Sequence, residues 1–89
     1  MTTKSQLESA LKDAMRSQND VARRTIRMVL SSVKNTEIDR GQPLDETGIS
    51  AIIQKEVKIR QEAMDEARRA NRPDLVQEAQ DEISILQNF

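Results

Sequence analysis

Glu56 and Arg60 stand four residues apart at the centre of an apolar helical face made by Ile49, Ile52, Ile53, Ala63, Met64 and Ala67. Residues at that spacing on a helix are neighbours, so a carboxylate and a guanidinium there form an ion pair. A charge on an apolar face must be paired by its surroundings or serve a purpose. Glu82 sits at the centre of a second apolar face, beside Ala79 and Leu86, and Arg72 lies near the start of that segment. A planar guanidinium bridges two carboxylates. The residues therefore predict a partly buried cluster of Glu56, Arg60 and Glu82, joined by Arg72, that fixes the register of the two segments.

A second charged group is basic. Arg23, Arg24, Arg27 and Lys34 fall on one narrow strip of a helix whose remaining circumference is apolar. Cations on a rigid helix neutralise backbone phosphates, release counterions and bind in a salt-dependent way. Lys55 and Lys58 are secondary candidates for such contacts. The plain alternative is a solvated face with local pairs to Asp20 or Glu37. The chain has one aromatic residue, Phe89, which argues against binding single-stranded RNA by base stacking on exposed rings. Any nucleic-acid contact would follow backbone shape.

Catalytic chemistry finds little support. There is no histidine and no cysteine, hence no thiolate, no disulfide, no cysteine metal site and no side chain that titrates near neutrality unperturbed. No glycine-rich loop is present to cradle phosphate, since Gly41 and Gly48 stand alone. Ser31 and Ser32 have no base to activate them. The adjacent acids Asp45-Glu46, Asp65-Glu66 and Asp81-Glu82 diverge by about 100° on a helix, so they do not converge on one atom. No cofactor and no metal is expected.

The elements that position these residues are helical. Four helices are expected: Lys4 to Ser17, Asn19 or Asp20 to Asp39, Glu46 to Ala70, and Pro73 to Asn88. Ser5 and Glu8 have capping-box spacing, Asp45 is an N-cap, Pro73 suits a first turn, and Gly41 and Asn71 suit left-handed helix ends. The apolar stripe of the first helix is Leu7, Leu11, Ala14 and Met15. That of the second is Val21, Ala22, Ile26, Met28, Val29, Leu30 and Val33, which covers more than half the helix and makes it central. Short connections favour antiparallel neighbours. The fold class is thus all-α: one domain over residues 1–89, a compact antiparallel bundle of about four helices. A chain this short buries only about two-thirds of its unfolded surface.

Charge is balanced overall, with 14 Lys and Arg against 15 Asp and Glu, but it is polarised. Residues 1–40 hold eight basic against five acidic side chains, while residues 73–89 hold none against four. No apolar run approaches a membrane span and the first residues do not form a secretory signal, which together suggest a cytoplasmic protein. On the last helix, Leu75, Ala79, Ile83, Leu86 and Phe89 form an apolar face that reaches the final residue. Such an end is expected to dock, within the bundle or onto a further helical unit. Alternatively Ile83, Leu86 and Phe89 meet a protein partner or a second copy.

Several stretches, in this order and spacing, resemble the YqeY-like proteins. They are Arg27-Met28-Val29 with Lys34-Asn35 and Glu37-Ile38; Leu44-Asp45-Glu46; Glu56-Val57-Lys58 with Arg60; and Arg72, Asp74-Leu75, Glu78, Glu82 and Ile85-Leu86. Asn71, commonly glycine in the family, and Ala67, commonly aromatic, depart from the pattern. The resemblance implies an all-helical fold of which this chain looks like the N-terminal half, the family's second helical unit being absent. It also implies kinship with the C-terminal tail of the B subunit of glutamyl/aspartyl-tRNA amidotransferase, which contacts tRNA while chemistry occurs elsewhere. A label of carbon–nitrogen ligase with glutamine as amide donor reaches the family by that inheritance, and the residues here do not support it. The expected function is a non-catalytic module making weak, backbone-directed contact with tRNA. The alternative is a protein-interaction domain with no RNA role, working through the apolar end of the last helix.

Overall fold

The first three helices of the chain start where a side chain caps the free amides, and all three stop at a backbone turn that satisfies the last carbonyls. The computed structural model describes residues 2–89 and contains α1 (Thr3–Arg16), α2 (Asp20–Arg40), α3 (Glu46–Arg69) and α4 (Pro73–Leu86). Asn19 caps α2 by accepting from the Ala22 amide at 3.1 Å, and Asp45 caps α3 by accepting from the Gly48 amide at 2.8 Å. The cap of α1 lies one turn earlier than expected. Thr2, not Ser5, accepts from a backbone amide, that of Ser5 at 3.1 Å, and Ser5 is thereby placed inside the helix. Gly48, which as a glycine costs helix propensity, allows Leu44 to approach closely: a β-carbon there would lie 3.0 Å from the Leu44 side chain.

The helix ends use left-handed backbone. Gly41 closes α2 at φ 71°. Asn71 closes α3 at φ 54°, with the Arg72 amide donating to the Ala67 carbonyl at 2.9 Å. The end of α1 repeats this geometry on a residue that gave no signal in the sequence. Gln18 has φ 57°, and the Asn19 amide donates to the Ala14 carbonyl at 2.9 Å. α4 has no side-chain cap; Pro73 at its first turn removes one amide that would need one.

Leu7, Ala14, Ala22, Ile26, Val29, Val33, Ile49, Ile53 and Leu86 form one continuous core. α2 supplies more buried residues than any other helix and touches all three of its neighbours. Its central place follows from its wide apolar face. The most extensive pairing, however, is α3 against α4. The edges of the predicted stripes reach solvent: Met15, Met28 and Leu75 are all exposed. A residue at the border of an apolar arc is covered only if a neighbouring helix happens to overlap it. No helix is long and apolar enough to cross a membrane among the described residues.

Candidate functional sites

Arg60 is the one charged side chain in the core among the described residues. Its Nη1 donates to Glu56 Oε1 at 2.9 Å and to the Glu56 carbonyl at 3.0 Å. Its Nε lies 3.6 Å from Glu82 Oε1, too long for a hydrogen bond but close enough for strong attraction, and makes no hydrogen bond. Its Nη2 donates to the sulfur of Met28 at 3.6 Å. The side chains of Arg60, Glu56 and Glu82 are only 7%, 12% and 14% exposed. One guanidinium therefore pairs with Glu56 of its own helix, ties α3 to α4 through Glu82, and reaches α2 through the Met28 thioether. Two acids and one base leave the cluster with a formal charge of −1.

Arg72 stands outside this cluster, contrary to the expectation that it joins. Its Nε and Nη2 donate to the two Asp74 oxygens at 3.2 and 3.1 Å. A partner two residues away is reached without chain rearrangement, so the local fork wins over the distant one. The hydrogen bond holds the Asp74 carboxyl below its usual range and raises Arg72.

The basic strip lies on the outer face of α2, where all four cations are exposed. Arg23 is 3.4 Å from Asp20, and Arg24 Nη2 donates to Glu78 of α4 at 3.2 Å. Arg27 and Lys34 have no ion pair among the described residues. Arg23, Arg24 and Arg27 line an open concavity of about 650 Å³ together with Met28, Ser31 and Asn35. Lys55 and Lys58 are exposed on α3, and no hydrogen bond or ion pair joins them to the strip among the described residues. A second open groove, of about 440 Å³, runs between α3 and α4. Ala63, Ala67, Ala70 and Ala79 floor it, and Glu66, Glu78 and Glu82 edge it.

The apolar end of α4 is not a partner surface in this fold. Ile83 and Leu86 are buried, Leu86 at 1% exposure within the core itself. Phe89 is half-buried and packs near Ile53, Val57 and Leu86. The bundle covers that face because α4 folds back along α3.

One polar site was missed by the sequence reading. Glu37, named above as a neighbour of the basic strip and as part of the family pattern but given no structural role, turns away from the strip. Its carboxylate accepts from the Leu44 amide at 2.8 Å and from Lys4 Nζ at 3.2 Å, binding α1, α2 and the following loop together. The amide chiefly, and then Lys4, hold its carboxyl below the usual glutamate range. Nearby, Thr3 Oγ1 donates to Glu46 Oε2 at 2.6 Å. Partners 33 and 43 residues apart leave no local signature.

A family model described as Yqey-like protein matches residues 4–89. Among curated proteins, the chain is similar to the Altered inheritance of mitochondria protein 41, mitochondrial, of several fungi. It is 38% identical over 84 residues to that of Lachancea thermotolerans, covering 93% of this chain and 45% of the relative. It is 39% identical to that of Eremothecium gossypii and 32% to that of Pyrenophora tritici-repentis, with 46% of each relative covered. The chain thus spans about half the length of the curated relatives it matches. The word mitochondrial in these names overturns the cytoplasmic expectation. That expectation rested on missing export and membrane features, which say nothing about an address inside an organelle.

Proposed function

The chain belongs to the YqeY-like protein family, and from that premise we propose that it is a non-catalytic helical module that contacts the phosphate backbone of tRNA through the outer face of α2. The observation that carries the reading is the arrangement of the strip. Arg23, Arg24, Arg27 and Lys34 are exposed on one rigid helix, and two of them, Arg27 and Lys34, make no ion pair among the described residues. Such cations exchange counterions for phosphates without breaking an internal bond. Arg24 gives up an exposed pair with Glu78, worth at most about 1 kcal/mol. The acidic side of α4 sets the limit of the footprint, since Asp74 and Asp81 repel phosphate. Lys55 and Lys58 serve as outlying contacts. The kinship with the amidotransferase tail supplies tRNA as the nucleic acid. The absence of histidine and cysteine and the internal pairing of the buried charges support a role without chemistry.

Fluorescence titration of bulk tRNA with the full chain tests this. Binding at low salt, lost or weakened at least tenfold in an Arg27→Glu/Lys34→Glu variant, is the expected result. No binding at low salt, or equal binding by the variant, overturns the reading.

A further inference from the structure

The two concavities share a border. Arg24, which lines the first, donates to Glu78, which lines the second, and Met28 of the first accepts from Arg60 of the second. They form one continuous face with two unlike halves. One half presents Arg23, Arg27 and, further along α2, Lys34. The other presents Glu66 and Glu78 around an alanine floor, with the Glu82 carboxylate largely buried and held by Arg60. Exposed apolar groups lie on both halves: Met28, 50% exposed, on the basic side and Leu75 on the acidic side.

From this bipolar face we infer that two copies of the chain meet there about a two-fold axis. A two-fold axis near the Arg24–Glu78 border lays the basic half of each copy on the acidic half of the other. Every contact is then made twice, as an isologous interface requires. The charges complement, with Arg27 and Lys34 free of internal partners on one side and Glu66 free on the other among the described residues. The shallow alanine floor admits the Met28 side chain of the partner. A thioether is flexible and adapts to irregular apolar surfaces. A second copy fits better than an unrelated acidic or basic partner, because a partner of single sign would oppose one half of the face. The inference does not rest on tRNA contact; a chain bound to RNA through α2 would have to separate from its partner copy.

Sedimentation velocity on the full chain over a concentration series, at low and high salt, tests it. The expected result is a monomer–dimer equilibrium that weakens roughly tenfold as salt screens the face. Arg27→Glu alone and Glu66→Lys alone each shift the chain to monomer, with helix content unchanged by circular dichroism. Mixing the two variants restores a dimer, since each then offers the sign the other lacks. A chain monomeric at every concentration at low salt overturns the inference. So do a dimer indifferent to both substitutions and a mixture no more associated than its parts.

Discussion

The charged residues of this molecule fall into two regions built on opposite terms. Around Arg60 the charges are nearly dry and offset one another, with a guanidinium between two carboxylates from two helices, although Arg60 Nε is left without a hydrogen bond. Along the outer face of α2 the basic side chains are wet, and among the described residues two of the four, Arg27 and Lys34, lack an acidic partner. The physics separates their roles. A buried ion must be paired, and removing its partner leaves a charge that the interior cannot solvate. An exposed ion is cheap to keep and cheap to remove, so a row of them contributes little to folding and is available for an outside partner. Charge alone therefore does not mark a binding site; exposure and the lack of an internal partner do.

The sharpest way to break this comparison is Arg60→Leu. It leaves Glu56 and Glu82 facing each other in the core and should cost about 3–5 kcal/mol, enough to lower the melting temperature by well over ~10 °C in a domain this small. A triple replacement of Glu56, Arg60 and Glu82 by leucine removes all three charges and should lose far less than Arg60→Leu alone. Thermal denaturation of both variants checks the point. If Arg60→Leu melts with the wild type, the cluster carries no structural role. At the other region, Arg27→Glu/Lys34→Glu should change stability by less than about 1 kcal/mol while weakening tRNA binding at least tenfold, read by melting and titration on the same sample.

A smaller effect is expected from pH. Glu37 and Asp74 have carboxyls held below their ordinary range in the folded chain. The unfolded chain therefore binds protons first as pH falls, and stability present at neutral pH is lost as pH drops through and below the ordinary carboxylate range. Glu37→Gln, which keeps an acceptor for the Leu44 amide but not the charge, should flatten that acid limb in melting curves taken as a function of pH. The limb stays unchanged if the clasp with Lys4 and Leu44 does not persist in solution. The smallest effect is a gain. Asn71→Gly relieves a left-handed residue and should raise stability by up to about 0.5–1 kcal/mol, measurable as a rise of a few degrees.

Much of the fold was legible because its signals are local. Asn19, Asp45, Gly41, Asn71 and Pro73 act within four residues of themselves, and each stands where its chemistry predicts. The pairing of Glu56 with Arg60 is also local, and an apolar stripe interrupted by charge made it readable. Arg72 was misjudged because its spacing from Glu82 says nothing of a competitor two residues away. For Ile83 and Leu86 the sequence left two coverings open, the bundle or a partner, because an amphipathic face is drawn the same way in both cases; the fold takes the first. Gln18 carries no preference for left-handed backbone, and the Glu37 clasp joins segments far apart in sequence, so neither was readable. Burial at the edges of the stripes, as at Met28, is decided by how helices overlap in space.

The salt dependence of tRNA binding tests the division of roles most directly. Log affinity against log salt should fall linearly for the wild type, and the slope should become shallower by about one to two for Arg27→Glu/Lys34→Glu, roughly one per phosphate contact removed. An identical slope in both proteins, or binding indifferent to salt, would contradict the account and leave the outer strip of α2 as a solvated face.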